Sequence, residues 1–164
     1  MRPFEALPIV ESPVSAGAEL LLDTCVYIDV LQGRTPASVD ELLEARIINH
    51  STVCVAELTR LFGRLDSTHA ATKGVLREIR QTIEDIPSHR ISSPSETAMG
   101  EAGMLAGLIA RLMHMERSER MLLSNDASLY LQALERGWTV LTRNVRDFDC
   151  FDQILPAGRV LFYA

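Results

Sequence analysis

The chain has 164 residues, 47% hydrophobic and 23% charged, with a net charge of −6; this is the length of one domain with an ordinary globular composition and enough chain to bury a substantial core. No stretch approaches the roughly 18–20 unbroken apolar residues of a membrane span, because the best one, 104–113, is interrupted by Arg111. Glu5, Pro8 and Glu11 break any secretory leader, so a cytoplasmic protein without a membrane partner is expected.

In chain order, residues 1–18 hold Pro3, Pro8 and Pro13 without periodicity and read as an arm outside the core, leaving 19–164 as the folded domain. Residues 19–23, Glu-Leu-Leu-Leu-Asp, form a short apolar run ending in an acid, the mark of a buried strand. Val26, Ile28, Val30 and Leu31 continue into a helix that stops near Gly33. A second helix is expected over 39–46 and a strand at Ile47 and Ile48. Ser51 or Thr52 can cap a helix running to Gly63. The spacing of Val75, Leu76, Ile79 and Ile83 predicts a helix over 73–86, ended by Pro87. A short strand is expected at 89–92. Ser93-Pro94-Ser95-Glu96 then reads as a capping box with proline first in the helix, opening a long helix through Met113. A polar break over 114–120 precedes a helix over 122–136 closed by Gly137. Strands at 139–141 and 159–163 complete the chain. Gly100, Gly103 and Gly107 read as a close helix-packing face, with a subunit contact as the other possibility. Alternating helices and short apolar strands predict an α/β domain whose parallel sheet is covered on both faces.

Three scattered cysteines, Cys25, Cys54 and Cys150, suit neither a zinc site nor a disulfide framework. Cys25 and Cys54 read as small core residues. The acids are more informative. Ligands of open α/β sheets bind at the carboxyl ends of the strands. Asp23 closes the first strand, Glu57 lies early in the helix after the second, Asp126 lies near the start of the helix before the fourth, and Asp147 follows that strand. Clustered carboxylates repel one another unless a cation neutralises them. Hard oxygen ligands favour Mg²⁺ or Mn²⁺, ions that activate water and stabilise phosphoryl charge. Each acid also has a plainer role: Asp23 as a helix cap, Glu57 as a solvated face, Asp126 as a capping acid, Asp147 as a turn residue with Asp149 and Asp152 as rivals. The acidic balance argues against tight nonspecific nucleic-acid binding, although bound divalent ions would offset part of it.

Four segments resemble the PIN-domain nucleases and, within them, the VapC-like toxins of bacterial toxin–antitoxin pairs. They are Leu21-Leu22-Asp23-Thr24-Cys25-Val26-Tyr27-Ile28, Ser51-Thr52-Val53-Cys54-Val55-Ala56-Glu57-Leu58, Asn125-Asp126-Ala127-Ser128-Leu129, and Thr139 to Phe148 with its Thr142-Arg143-Asn144 and Asp147-Phe148. The resemblance implies a three-layer α/β/α fold with a central parallel sheet of four to five short strands. It implies a metal site of Asp23, Glu57, Asp126 and Asp147, supported by Thr24, Thr142 and Asn144. Many relatives carry aspartate where Asn144 stands. Mg²⁺- or Mn²⁺-dependent RNA hydrolysis without a covalent intermediate is implied, by a homodimer silenced by a small cognate antitoxin. Arg143 and Arg146 are candidates to hold substrate phosphates. The arm of about 18 residues departs from the compact family pattern.

Among rivals, a phospho-acceptor receiver domain needs a lysine at the site, and the single lysine, Lys73, falls in mid-helix. A phosphatase with an aspartate nucleophile would want a second aspartate where Cys25 stands. A PIN-like module that binds protein or RNA with weak or no catalysis is the remaining alternative.

Overall fold

The computed structural model describes residues 2–10, 17–115 and 117–164. Its strands are β1 (Leu20–Leu22), β2 (Ile48–Ser51), β3 (Ile91–Ser92), β4 (Thr139–Thr142) and β5 (Val160–Phe162). They form one sheet in the order β3-β2-β1-β4-β5, and every pairing is parallel. Successive side chains of a strand point to opposite faces. Since every residue of β1 and β4 is buried, both faces of the central sheet are covered, as a parallel sheet requires.

The helices are α1 (Thr24–Leu31), α2 (Ala37–Ala45), α3 (Thr52–Arg64), α4 (Thr72–Glu84), α5 (Glu96–Leu112), α6 (Arg117–Arg136) and α7 (Val145–Ile154). Their ends follow local chemistry. Asp23 caps α1, Ser51 caps α3 by accepting from the Val53 N–H at 3.1 Å, and Gly137, at φ +69°, closes α6. The core is formed by side chains such as Leu20, Leu21, Leu58, Ile109, Leu129, Leu141, Phe148 and Phe151, all 1% exposed or less. Each contributes about 1.5–3 kcal/mol by leaving water. Gln132, fully buried, accepts from the Ser51 hydroxyl at 2.6 Å and donates to the Ser92 carbonyl at 3.0 Å. That bridge locks α6 to the ends of β2 and β3.

The connectivity creates the crevice. From β1 the chain builds outward through β2 to β3, then crosses back through α5 and α6 to lay β4 against the other side of β1. The boundary between β1 and β4 is therefore the point where strand order reverses, and the carboxyl ends of those strands flank a ready-made cleft.

Five expectations are corrected. The arm is docked over residues 2–10: Leu7 is buried, the Val10 N–H donates to the Phe162 carbonyl at 2.8 Å, and the Phe162 N–H donates to the Pro8 carbonyl at 2.9 Å, while Pro13 lies outside the described residues. The arm thereby covers the open edge of β5. The N-cap of α5 is Ser95, whose hydroxyl accepts from the Ala98 N–H at 3.0 Å; Ser93 and Pro94 precede the helix. The polar stretch after Met113 is mostly the first turn of α6, so Asp126 falls midway along that helix and caps nothing. Residues Val145–Ile154 are helical, so Asp147, whose plainer reading was a turn residue, lies in a helix; Asn144, accepting from the Asp147 N–H, starts that helix. Finally, Gly100, Gly103 and Gly107 face outward, and a Cβ at any of them would meet nothing within 4 Å. Packing of α5 on the core runs through Ala98, Ala102, Ala106 and Ile109 instead.

Candidate functional site

At the carboxyl end of β1, Asp23 is only 5% exposed. One of its oxygens accepts from the Thr24 N–H at 2.6 Å; the other accepts from the Thr142 hydroxyl at 2.6 Å and the Cys25 thiol at 3.1 Å. Glu57, in the second turn of α3, is held by the Thr24 hydroxyl at 2.5 Å and the Asn125 amide at 2.7 Å. Asp126 on α6 and Asp147 on α7 share one donor, Asn144 Nδ2, at 3.0 Å from an oxygen of each. The Asn144 N–H in turn donates to the Thr142 hydroxyl at 2.8 Å. Thr142 and Asn144 thus link three of the acids through one loop, and Thr24 holds the fourth.

Every hydrogen bond in that set comes from a neutral donor, so the acids are oriented but not discharged. The consequence is electrostatic. Burial pushes the Asp126 carboxyl up to about 9, and the charges of Asp23, Asp147 and Glu57 all add to the effect. Asp23 is likewise raised, by burial and more weakly by Glu57, against the opposing bonds from Thr142, Cys25 and Thr24. Burial and the Asp23 charge hold the Cys25 thiol near 12, so Cys25 acts as a proton-bearing donor to Asp23 and is not a nucleophile at neutral pH. It lies at the site's edge, half-buried, whereas Cys54 is a core residue as expected.

Among the described residues, no three histidine, cysteine or acidic side chains form a ready-made metal cage. The carboxylates are drawn toward their threonine and asparagine partners. Their chemistry still fits a hard divalent ion: the four acids offer oxygen ligands only, they raise one another's proton affinity in a half-buried cleft, and among the described residues the enclosed Asp147 Oδ1 has no hydrogen-bond donor.

The other expected residues divide. Asp149 and Asp152, the rivals of Asp147, are bound elsewhere, pairing with the Arg2 guanidinium at 2.6 Å each. Arg143 turns its Nε to Asp29, at 3.1 Å. Arg146 lies exposed in the first turn of α7. Two contributors escaped sequence reasoning. Asn125 is an amide beside an acid, which no spacing rule singles out. Asp29 did carry a signal, as a lone acid among the apolar residues of α1.

No protein-family model and no curated protein sequence matches the chain. Solved structures do. One chain of FitAcB from Neisseria gonorrhoeae aligns with a TM-score of 0.59 at 24% identity, over 87% of this chain and 96% of that one. VapBC2 from Rickettsia felis, bound to a DNA fragment from its promoter, aligns at 0.57 and 16% identity, over 88% and 98%. VapBC-5 from Mycobacterium tuberculosis, a member of the VapBC family of toxin–antitoxin systems, aligns at 0.55 and 18%, over 90% and 100%. At such identities the likeness is one of fold. The fold is PIN-like. In this PIN-like chain the strand-order reversal, the capped helices and the four acids coincide at one end of the sheet. Among the described residues, no helix is long and apolar enough to cross a membrane.

Proposed function

We propose that the protein is a Mg²⁺- or Mn²⁺-dependent endoribonuclease, acting as the toxin of a VapBC-type toxin–antitoxin pair. The observation that carries the reading is the convergence of four acids at one end of the sheet: Thr142 and Asn144 hold Asp23, Asp126 and Asp147 through one loop, Thr24 and Asn125 hold Glu57, and burial with the charges of Asp23, Asp147 and Glu57 raises the half-buried Asp126 carboxyl to about 9. Bringing together four acids from the end of β1 and from α3, α6 and α7 costs stability unless a cation uses them.

Asp23, Glu57, Asp126 and Asp147 are the residues that would hold the ion. A divalent ion bound there supplies Lewis-acid stabilisation of a phosphoryl oxygen and lowers the pKa of water. The chain's own residues do the positioning. Thr142 and Cys25 orient Asp23, Thr24 and Asn125 orient Glu57, and Asn144 holds Asp126 and Asp147 in register. Carboxylates oriented in this way would need little rearrangement to hold an ion that meets the charge on the phosphoryl oxygens. Cys25, held as a thiol, is not poised as a nucleophile beside Asp23, in keeping with direct attack by water. Arg146, exposed on the first turn of α7 and next to Asp147 in sequence, is a candidate to meet a substrate phosphate.

Two surfaces support the proposed partners. An apolar recess of about 350 Å³ between α1, α2 and the end of α4, lined by Tyr27, Val30, Leu31 and Ile86, adjoins Leu22 next to Asp23. It suits an apolar segment of an antitoxin laid over the site. The outward face of α5, with Met104 at 70% exposure among its glycines, suits a homodimer contact.

The test is incubation of purified protein, freed of any co-purified peptide, with single-stranded and folded RNA in Mg²⁺ or Mn²⁺. Cleavage that is lost with EDTA and in Asp23→Asn supports the reading. A folded protein that neither binds Mn²⁺ nor cleaves any RNA would instead be a PIN-like binding module.

A further inference from the structure

We propose that Asp29, which lies outside the acid cluster, is a positioning residue that clamps the loop carrying Thr142, Arg143 and Asn144, and that Arg143 belongs to this clamp and not to the substrate-binding surface. The inference rests on the nuclease reading only where activity is its readout.

Asp29 is 1% exposed, and both of its oxygens are occupied. One accepts from the Arg34 guanidinium at 2.9 Å. The other accepts from the Tyr163 hydroxyl at 2.9 Å and forms an ion pair with Arg143 Nε at 3.1 Å. Three separate pieces of chain therefore meet on one carboxylate: the turn after α1, the loop after β4, and the residue after β5. A buried carboxylate with two arginines is costly to build where apolar packing would serve, and this one is placed where it controls a geometry.

The loop it grips holds the site. Arg143 is tied to α1 twice, by its side chain to Asp29 and by its N–H to Cys25 Sγ at 3.3 Å. Tyr163 adds a backbone tie, its N–H donating to the Thr142 carbonyl at 3.2 Å. On either side of Arg143, Thr142 donates to Asp23, and Asn144 donates to Asp126 and Asp147. A shift of this loop therefore moves the donors of three acids together. Misplacement of reacting groups by about 1 Å can cost about 100-fold in rate. An Arg143 paired with Asp29 is oriented along α1, with an opposite charge already beside its guanidinium.

The experiment compares the full chain with Asp29→Asn, Arg143→Gln and the double variant, by two readouts. Amide hydrogen exchange, without substrate, reports the Arg143 and Asn144 N–H groups directly. We expect both single variants to speed exchange there by about 10-fold or more while the β1 amides stay protected. RNA cleavage in Mg²⁺ should lose about 10–100-fold in kcat with KM within about twofold, and the double variant should be no worse than the poorer single one. Unchanged exchange at 143 and 144 in Arg143→Gln overturns the clamp. So does a KM that rises in Arg143→Gln while Asp29→Asn leaves kcat and KM intact, because Arg143 then meets the substrate. Should Asp29→Asn unfold, shown by loss of β1 protection, Arg143→Gln alone decides, since its half-exposed side chain can be trimmed without opening the core. If the wild type cleaves nothing, the nuclease reading fails while the exchange result still judges the clamp.

Discussion

Two sets of buried aspartates in this molecule differ in what surrounds them. Asp149, at the far side of α7, has a fully buried side chain, yet its carboxyl lies below the usual range: burial pushes it up, and the Arg2 N–H and guanidinium more than reverse the shift. Asp126, half-buried, meets neutral amide and acidic neighbours and is raised to about 9. The same residue type is thus a charged fastener in one place and, in the other, a carboxyl that keeps its proton at neutral pH. The lesson is that burial alone identifies neither; the identity of the partner does. A buried acid with its own arginine is complete, while a buried acid facing three others is waiting for a cation.

That contrast can be broken by substitution, and the largest effect falls on activity. Asp126→Asn should lower RNA cleavage by about 100–1,000-fold or more, measured as kcat/KM in Mg²⁺, and Asp149→Asn should leave it nearly unchanged. Stability should move in opposite directions. In EDTA at pH 7, Asp126→Asn removes the cost of holding a proton on this carboxyl and should stabilise the fold by roughly 1–3 kcal/mol. Asp149→Asn strips a partner from Arg2 and should destabilise by about 1–3 kcal/mol after allowance for the partly exposed arginine. Urea denaturation of the three proteins side by side reads both.

The pH dependence sharpens this. For Asp126 the folded-state value, about 9, lies above the ordinary 3.8, so the fold is spared the ionisation penalty below pH 4 and takes it on progressively as pH rises toward 9. The stability gain of Asp126→Asn over wild type should therefore be near zero at pH 4 and widen up to pH 9. The Asp149 contribution runs the other way: it is present above the ordinary 3.8 and lost as pH falls through its lower folded value. The smallest effect is expected from Thr142→Val, which removes one donor from Asp23 and one acceptor from the Asn144 N–H. Cleavage should fall by about 10-fold, the equivalent of one hydrogen bond.

Much of this was legible in the residues. Apolar runs such as Leu20-Leu21-Leu22 and Thr139-Val140-Leu141 announce buried strands because parallel strands are covered on both faces. The acids could be assigned to one end of the sheet because each follows a strand or begins near a helix. What stayed hidden depends on contacts far apart in sequence. The helix Val145–Ile154 is polar enough, with Arg146, Asp147, Asp149 and Asp152, to read as a turn; it is stable because Phe148 and Phe151 drive into the core. Asp126 seemed a helix opener because the charged stretch before it resembled a loop, yet that stretch is helical. The arm read as detached because no local pattern shows that Leu7, Pro8 and Val10 meet Phe162 and its neighbours. Arg143 looked like a phosphate ligand because its partner, Asp29, is brought to it only by the fold.

The most direct test of the waiting-cation reading is thermal unfolding of wild type and Asp126→Asn, each measured in EDTA and in millimolar Mn²⁺. An ion that binds only the folded state raises its stability by mass action. The wild type should start below Asp126→Asn in EDTA and gain several degrees in Mn²⁺, while the variant gains little or nothing. Equal Mn²⁺ gains in both proteins, or a wild type indifferent to Mn²⁺, would contradict a cation site built on these four acids.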